Sequence, residues 1–501
     1  MSRASRSTRP PPAGGHVAVI DIGSNSIRLV VYDRLCRSPV PRFNEKALCG
    51  LGRGLESDGT LDATAREQAA LALRRFVRLA DAMDVRSLHI VATEAVRRAS
   101  DGPAFLVALE RQLGRSIAVL SGDDEARLSA LGVAGGFWQP DGIVADLGGG
   151  SLEFAEIGHG GLAERRISLP LGTLRLPPNP GAAAARHIEA VLDTAPWLRG
   201  AARGRAFYVV GGGWRALARI HLAVSAAPLG IVHGHTLDRD QALEFSGRIA
   251  RTERKDLAEM PGVPRRRLET LPAAALLFRL TVERLEPATV TFSALGLREG
   301  VLFAGMDARA RAEDPLLAGA EALGKAQNRS PDIGPALLRW IAPLPGGDDP
   351  RLARLRAAAC HVSDMAWLET PGSRARDAFF NLAHYPFLGV SHAERAYVAH
   401  AVFSRYDGDP EDRAVRQVSA LLTPADRRDA EQLGRLLQLA YRVSGGVPTL
   451  LDEARLSIRS DGVRLELADR ALAPEPEAVA SRLRQLARSL GIAASDLVLP
   501  A

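Results

Sequence analysis

The stretch Asp21-Ile-Gly-Ser-Asn-Ser26-Ile-Arg-Leu29 returns 125 residues later as Asp146-Leu-Gly-Gly-Gly-Ser151-Leu-Glu-Phe154. Each copy runs from an apolar strand through an aspartate, a glycine, two small residues and a serine into a second alternating apolar segment. A Walker loop or a dinucleotide fingerprint must lead into a helix, whereas both copies here lead into strands, at 27–32 and 152–157. The repeat therefore predicts two related subdomains that face each other, each with a strand–loop–strand hairpin.

Both loops have the composition of an anion site. Glycine permits positive φ and leaves backbone N–H groups unshielded, and successive N–H groups form a concave surface that binds anions. We expect phosphate to contact the loop residues Gly23, Ser24, Asn25, Ser26, Gly148, Gly149, Gly150 and Ser151. Asp21 and Asp146 each end a strand, where a carboxylate holds a metal ion or its water. The alternative is a pair of ordinary glycine turns in β-hairpins.

The rest of the chain divides into an α/β part and a helical part. Strand-like and helix-like segments alternate up to Asp307, which is typical of an α/β domain. We predict further strands at 16–20, 88–92, 117–120, 142–145 and 206–210, and an amphipathic helix at 61–83 with Thr60 as its N-cap. Helices rich in Ala, Leu and Arg follow up to about Val443, and then a hairpin at 455–467 and a helix at 476–490. The expected domains are a disordered tail (1–15), two subdomains (16–137 and 138–308) and a mainly helical domain (309–501).

Composition excludes several classes of protein. The chain has 501 residues, of which 46% are hydrophobic and 24% charged, as in ordinary folded domains. No run of about 18 apolar residues occurs, so we expect no transmembrane helix, and residues 1–15 lack the apolar segment of a secretory signal. Three cysteines at unrelated spacings exclude a disulfide framework. A net charge of +6 is too small to indicate a nucleic-acid partner.

Four motifs together resemble one family. Residues 21–26, Ser-Gly-Asp-Asp-Glu-Ala-Arg at 121–127, residues 146–153 and Gly-Leu-Arg-Glu-Gly at 296–300 resemble the exopolyphosphatase and guanosine pentaphosphate phosphatase family. The resemblance covers residues 16 to about 304. It implies two ribonuclease-H-like halves of the actin, heat-shock ATPase and sugar-kinase superfold around a cleft, followed by a degenerate HD-like helical domain. It also implies a cytoplasmic enzyme of the stringent response that acts as a homodimer.

Glu125 is the candidate catalytic base. Ser121 is a good N-cap, so Asp123, Asp124 and Glu125 fall in the first turn of a helix. From the residues alone, these acids simply complement the helix dipole. The resemblance places the family's water-activating glutamate at Glu125, although the first of the family's usual paired acids is Asp124 here.

Arg97 and Glu153 complete the candidate site. In a helix over 94–100, Thr93 and Arg97 share one face, and Arg97 reaches phosphate with two nitrogens. Glu153 shares a strand face with Ser151 and is expected to hold Mg²⁺, or another divalent cation, together with Asp21 and Asp146. The alternatives are a solvated arginine and a surface acid. Arg267 and Arg298 are further candidates for phosphate contact, and Arg298 alternatively pairs with Glu299.

Other motifs have a weaker link to the chemistry. Gly211–Trp214 follows a strand and opens a helix, and the family commonly has a small hydroxylic residue where this chain has Trp214. Ser363-Asp364 stands where a working HD site needs His-Asp, so we expect the nearby histidines to be structural. Arg351, Arg354 and Arg356 form either a track for a polyanion or a solvated helix face.

We therefore predict an exopolyphosphatase that removes terminal phosphate from inorganic polyphosphate with Mg²⁺ near Asp146. Glu125 activates the water, while the loop N–H groups and Arg97 hold the phosphate oxygens. The nearest alternative is hydrolysis of guanosine pentaphosphate. Alternatives of another class are an ATPase or kinase of the same superfold, with an adenine pocket at Gly211–Trp214, and a non-catalytic regulator that binds polyanions.

Overall fold

The computed structural model describes residues 15–158 and 161–500. The expected tail, apart from Gly15, lies outside the described residues. The chain forms two compact units, the first ending at Glu313 and the second beginning at Asp314. None of the described helices combines the length and the apolar run that a bilayer span needs.

The first unit contains two β-sheets. Its strands are β1 (Val17–Ile22), β2 (Ile27–Tyr32), β3 (Pro41–Ala47), β4 (Ser87–Ala92), β5 (Ala118–Val119), β6 (Gly142–Leu147), β7 (Leu152–Gly158), β8 (Gly161–Leu169), β9 (Ala206–Gly211), β10 (His235–Asp238) and β11 (Thr289–Phe292). Its helices are α1 (Leu55–Asp58), α2 (Ala63–Ala82), α3 (Glu94–Arg98), α4 (Gly102–Leu113), α5 (Gly122–Gly136), α6 (Ala182–Asp193), α7 (Gly212–Val224), α8 (Arg239–Arg251), α9 (Arg254–Glu259), α10 (Leu271–Leu285), α11 (Leu297–Ala304) and α12 (Ala308–Ala312).

The two sheets have the same order of strands. The first sheet runs β3-β2-β1-β4-β5, and the second runs β8-β7-β6-β9-β11 with β10 added at its edge. In both, an antiparallel hairpin (β1–β2 or β6–β7) pairs with a third antiparallel strand on one side and with parallel strands on the other. The sequence repeat therefore corresponds to a repeat of the fold, and the predicted hairpins are confirmed.

Each sheet buries its own apolar core. The hairpin strands β1 and β2 are buried along almost their whole length, as are β6 and β7, because helices cover both sheets. Helix α2 begins at Ala63, and its N-cap is Asp62, whose carboxylate accepts from the Ala65 N–H over 2.7 Å. The prediction of Thr60 as the cap was wrong, because the aspartate two residues later binds the free N–H groups of the first turn.

The second unit is mainly helical, as predicted. Its helices are α13 (Pro315–Gln327), α14 (Ile333–Trp340), α15 (Pro350–His361), α16 (Arg374–His384), α17 (His392–Arg405), α18 (Arg413–Ser419), α19 (Pro424–Ser444), α20 (Pro448–Leu451) and α21 (Pro476–Ser489). The predicted hairpin is formed by β12 (Ala454–Arg459) and β13 (Gly462–Leu467), and β14 (Ser495–Val498) adds a parallel third strand.

Asp364 is surrounded by arginine side chains. The carboxylate is 1% exposed and accepts from the guanidinium groups of Arg329 and Arg405. The Arg405 guanidinium lies 3.8 Å from the ring centre of Tyr406 and 3.9 Å from that of Tyr441. The charge of Asp364 is thus balanced by protein cations, in agreement with a structural role for this region.

The proposed arginine track on α15 is not free. Arg351 pairs with Asp426, Arg354 with Asp314, and Arg356 with Asp429. The side chains of Arg354 and Arg356 are less than a tenth exposed. Each of these three arginines is therefore neutralised by an acidic partner distant in sequence. This argues against a track for a polyanion along α15.

Candidate active site

The two glycine loops close with the same hydrogen bond. In the first loop (residues 21–26) the Gly23 N–H donates to the Ser26 carbonyl over 3.1 Å, and in the second loop (residues 146–151) the Gly148 N–H donates to the Ser151 carbonyl over 3.0 Å. The next three N–H groups of each loop, at 24–26 and 149–151, donate to no protein acceptor within the described residues. These N–H groups are therefore available to an anion.

Glycine serves the loops through its small size. None of the loop glycines has a positive φ, so the expected left-handed backbone is absent from these loops. A methyl group at Gly150 would overlap the carboxylate of Glu94, and one at Gly149 would come within 3.0 Å of the Ser24 Cβ. The loops thus approach each other closely, as the repeat predicted.

Ser24 connects the first loop to a buried acid. Its hydroxyl donates to Oε2 of Glu94 over 3.3 Å, and the Glu94 side chain is 6% exposed. The single hydroxyl hydrogen of Ser24 is therefore already donated to the Glu94 carboxylate. A phosphate would meet the backbone N–H of Ser24 rather than this hydrogen.

Glu125 lies in the first turn of α5. The predicted N-cap is confirmed, since Ser121 accepts from the Asp124 N–H over 3.1 Å and Asp124 accepts in return from the backbone of Ser121. Glu125 is 6% exposed and accepts a hydrogen bond from Arg97, which also donates to the Leu120 carbonyl. Arg97 is thus directly beside the candidate base, and its contact with phosphate stays a prediction.

Burial controls the protonation of Glu125. Desolvation raises the pKa of Glu125 to about 7, although Arg97 acts to lower it, and the charges of Asp146 and Asp21 raise it further. A carboxylate with a pKa near neutrality can accept a proton in one step and release it in the next. Simple complementation of the helix dipole does not require a buried acid of this kind.

Two acids and a serine form a row across the second sheet. Asp146, Glu153 and Ser168 are direct register partners on β6, β7 and β8, and partners of this kind share a face of the sheet. Ser168 donates to Glu153 over 2.8 Å, and Ser129 donates to Asp146 over 2.5 Å. Burial is the main cause of the raised pKa values of Asp146 and Glu153, and repulsion by Glu125 is the next cause for Glu153.

The equivalent row in the first sheet carries the opposite charge. Asp21, Arg28 and Lys46 are register partners on β1, β2 and β3. The 125-residue repeat aligns Arg28 with Glu153. Arg298 donates a hydrogen bond to Asp21 over 2.9 Å, and the charge of the buried Glu299 also stabilises its guanidinium.

Further arginines lie near Lys46, the last residue of this first row. Lys46, Arg219, Arg266 and Arg267 have no ion pair with an acid among the described residues. Burial lowers the pKa of Lys46 to about 8, and the nearby charges of Arg267, Arg266 and Arg28 lower it further. We call Lys46, Arg219, Arg266 and Arg267 the outer cation cluster. Such mutual repulsion is relieved when an anion binds.

The Gly211–Trp214 segment has a structural role. Trp214 is 0% exposed and its indole N–H donates to the Ala274 carbonyl over 3.0 Å. Its ring packs edge-on against Phe207 and Phe278. The indole is therefore part of the core and offers no ring face to an adenine base.

The carboxylates at the loop ends have the chemistry of a magnesium site. Within residues 15–158 and 161–500, no three His, Cys, Asp or Glu side chains converge closely enough to form a metal cage. Mg²⁺, however, commonly binds proteins through one or two carboxylates and completes its shell with substrate phosphates and water. The half-buried carboxylate of Asp146 and the buried one of Glu153 fit this mode, whereas Asp21 is partly neutralised by Arg298.

Comparison with known proteins agrees with this geometry. The model of the Ppx/GppA phosphatase family matches residues 30–309. The chain belongs to this family. A second model, of the exopolyphosphatase C-terminal domain, matches residues 316–497. The predicted family is therefore confirmed.

Individual known proteins match this chain over somewhat more than half of its length. Exopolyphosphatase 1 of Mycobacterium leprae is 28% identical over 313 residues, which are 59% of this chain and 90% of that protein. The crystal structure of the Aquifex aeolicus Ppx/GppA family member has 27% identity and a TM-score of 0.50, covering 58% of this chain and 97% of that one. An exopolyphosphatase structure from Cytophaga hutchinsonii, 21% identical with a TM-score of 0.52, covers 58% and 99% and shows the same fold. The actin-like α/β fold is confirmed.

Several residues of the site were not predicted from the sequence. Glu94, Arg175, Ser129, Ser168 and Lys46 all contact or flank the predicted groups. Glu94 and Arg98 are spaced like an ordinary surface pair on a helix, and nothing in the spacing indicates burial. Only Ser168 could have been found from a pattern, because side chains alternate between the two faces of β8 and Ser168 falls on the face that carries Glu153.

Proposed function

We propose that this protein is an exopolyphosphatase, which hydrolyses the terminal phosphoanhydride bond of inorganic polyphosphate and releases orthophosphate. The main support is the convergence of two loops, each with three uncommitted N–H groups, beside the buried Glu125. Two such loops suit two neighbouring phosphates of one chain better than a single phosphate.

Glu125 would act as the general base. The oxygen of a water molecule attacks the terminal phosphorus, and the bond from that phosphorus to the bridging oxygen breaks. The water proton passes to Glu125, and the bridging oxygen leaves with the shortened chain. N–H groups of the loops hold the equatorial oxygens, where negative charge is spread in the transition state. Arg97, already bonded to Glu125, would contribute a cation at the same place.

A divalent cation, for which Mg²⁺ is the candidate, would bind Asp146 and Glu153, with Asp21 nearby. When bound, it would neutralise charge on the phosphate oxygens and on the buried acids. The three carboxyl groups of Glu125, Asp146 and Glu153 all have raised pKa values in its absence. This excess of buried acid supports the proposal of a cation at this place.

The outer cation cluster favours a long substrate. Lys46 lies two strands from Asp21, which is about 10 Å at the usual strand spacing. Arg267 lies against Gly212, just after β9, and Arg266 and Arg219 lie near enough to influence its charge. A polyphosphate held at the loops would place its following phosphates near these cations, and the buried Trp214 would provide no platform for a nucleobase.

Phosphate release tests the proposal directly. The protein is incubated with Mg²⁺ and separately with long polyphosphate, guanosine pentaphosphate or ATP, and orthophosphate is measured over time. We expect the fastest release from polyphosphate and its loss in Glu125→Gln. The matched control is Asp123→Asn, in the same helical turn, because the Asp123 side chain is 57% exposed and pairs with Arg166 instead. Preference for guanosine pentaphosphate, or an active Glu125→Gln variant, would refute the proposal.

A further inference from the structure

A chain of polar contacts joins the two phosphate loops. Ser24 of the first loop donates to Glu94 over 3.3 Å, and Nη2 of Arg175 donates to the same carboxylate over 3.1 Å. Nε of Arg175 then donates to the Gly150 carbonyl of the second loop over 2.5 Å. We call Ser24, Glu94, Arg175 and Gly150 the loop bridge.

The loop bridge spans the two halves of the repeat. Ser24 and Glu94 belong to the half built on the first sheet, and Gly150 and Arg175 to the half built on the second. The chain around Arg175 is itself fixed to the second loop, because the Leu174 N–H donates to the Gly149 carbonyl over 2.8 Å. Movement of one loop relative to the other must therefore break at least one of three contacts: Ser24 to Glu94, Glu94 to Arg175, or Arg175 to the Gly150 carbonyl.

Packing leaves little room for another arrangement. A Cβ on Gly150 would overlap the Glu94 carboxylate, and a Cβ on Gly172 would overlap the backbone of Gly149. The Leu174 side chain lies 3.1 Å from the position of a Cβ on Gly149. Small residues thus allow the bridge and the loops to pack directly against each other.

We propose that Glu94 and Arg175 are positioning residues that set the spacing between the two phosphate loops. This proposal rests on the proposed function, since the loops are expected to hold neighbouring phosphates of one chain. A guanidinium that contacts both a carboxylate and a carbonyl fixes direction as well as distance, because its N–H groups are coplanar. The bridge holds the loops at their working separation before the substrate arrives, which avoids the cost of ordering them during catalysis.

The chain offers a matched control for this proposal. Arg98 donates to the same Oε1 atom of Glu94 over 2.7 Å, and Arg175 donates in addition to the Gly150 carbonyl of the second loop. Arg98→Met and Arg175→Met each remove one of these two arginine partners from Glu94. A general need for balanced charge at Glu94 predicts equal effects, whereas the loop bridge predicts a far larger effect for Arg175→Met.

Hydrogen exchange of the ligand-free protein is the first test. Peptides covering 147–153, 170–176 and 48–54 are compared in the two variants and in the parent. We expect faster exchange in all three peptides in Arg175→Met, and parent-like exchange at 147–153 and 170–176 in Arg98→Met. Equal exchange in the two variants would overturn the proposal. This measurement requires no substrate, so it decides the proposal even when the parent does not hydrolyse polyphosphate and the proposed function fails.

Kinetics with polyphosphate form the second test. A displacement of about 1 Å costs on the order of 10²-fold in rate, so we expect Arg175→Met to lower kcat by about that factor. Arg98→Met should stay within about threefold of the parent, and Arg175→Lys should not restore the rate because one ammonium cannot reach both partners in the same plane. The double variant Glu94→Gln with Arg175→Met should be no slower than Arg175→Met alone, since loss of Arg175 already interrupts the path from Glu94 to the second loop. Additive losses would contradict a shared role.

Discussion

The negative charge of Glu125 is expected to lower the free energy of unfolding of the folded protein. The effect can be measured without substrate from the dependence of stability on pH. Burial raises the pKa of Glu125 in the folded protein to about 7, from the ordinary value of 4.5 for a glutamate in water. Between these two values the folded state binds more protons than the unfolded state, so stability must fall as pH rises. Glu125→Gln removes this dependence but keeps the size of the side chain and an oxygen that accepts from Arg97.

The size of the effect follows from the two pKa values. From pH 5 to pH 8, the parent should lose about 2–3 kcal/mol relative to Glu125→Gln, most of it before pH 7.5. The side chain is 8% exposed, so solvent screens this difference little. At pH 8 the variant should therefore be more stable than the parent. It should also be inactive, because it lacks the carboxylate that acts as the base; such a trade between stability and activity is common where function requires a charge in a buried site.

Hydrogen exchange measures this difference within the first unit. The slowest amides of β6 and β7 report the unfolding of this unit, and comparison of parent and variant at the same pH cancels the intrinsic dependence of exchange on pH. Asp123→Asn is the control, since its exposed carboxyl should produce no such trend. A free-energy difference between Glu125→Gln and parent that stays constant from pH 5 to pH 8 would refute the assignment of a raised pKa.

Three further predictions follow from the same structure. In the parent with Mg²⁺, kcat/KM for polyphosphate should rise about tenfold per pH unit on the acid side and then level off at or below about pH 7, because Glu125 must be deprotonated to act as a base and a bound cation lowers the pKa that burial has raised; a rate that does not fall at low pH would contradict this role. Trp214→Ala should destabilise the first unit by about 3–5 kcal/mol in urea unfolding, since it leaves a cavity and removes the donor to Ala274; a loss below about 1 kcal/mol would exclude a core role. Arg405→Met should destabilise the second unit by about 3 kcal/mol in thermal unfolding, because Asp364 loses a buried partner; an unchanged midpoint would show that the other arginine is sufficient.

The repeat made the centre of the fold predictable. Two strand–loop–strand copies with an aspartate at the same place predicted both hairpins, and the hairpins lie near the middle of their sheets. Strands at the edges were missed where side chains give little signal. In β3, for example, most residues are polar, and the strand forms because its backbone pairs with β2.

The site was predictable only where function depends on local sequence. Loop N–H groups and the N-cap of α5 arise from residues a few positions apart. The loop bridge depends on contacts between residues 70 and 81 positions apart, so no local sequence pattern indicates it. The role of Ser24 illustrates the same limit, because its hydroxyl hydrogen is used by an acid distant in sequence.

The two halves of the repeat share a fold but differ in charge, and this difference suggests a direction for the substrate. In the first sheet, the row Asp21, Arg28 and Lys46 has a net charge of +1, while the equivalent row in the second sheet has two acids and Ser168. The positive charge of the first row suits phosphate oxygens, and the acids of the second row suit a divalent cation or an attacking water. The outgoing polyphosphate should therefore lie over the first sheet, toward the outer cation cluster, and the terminal phosphorus should face the acids of the second. Replacement of Arg28 by glutamate would make the two rows alike, which should weaken substrate binding more than replacement by glutamine.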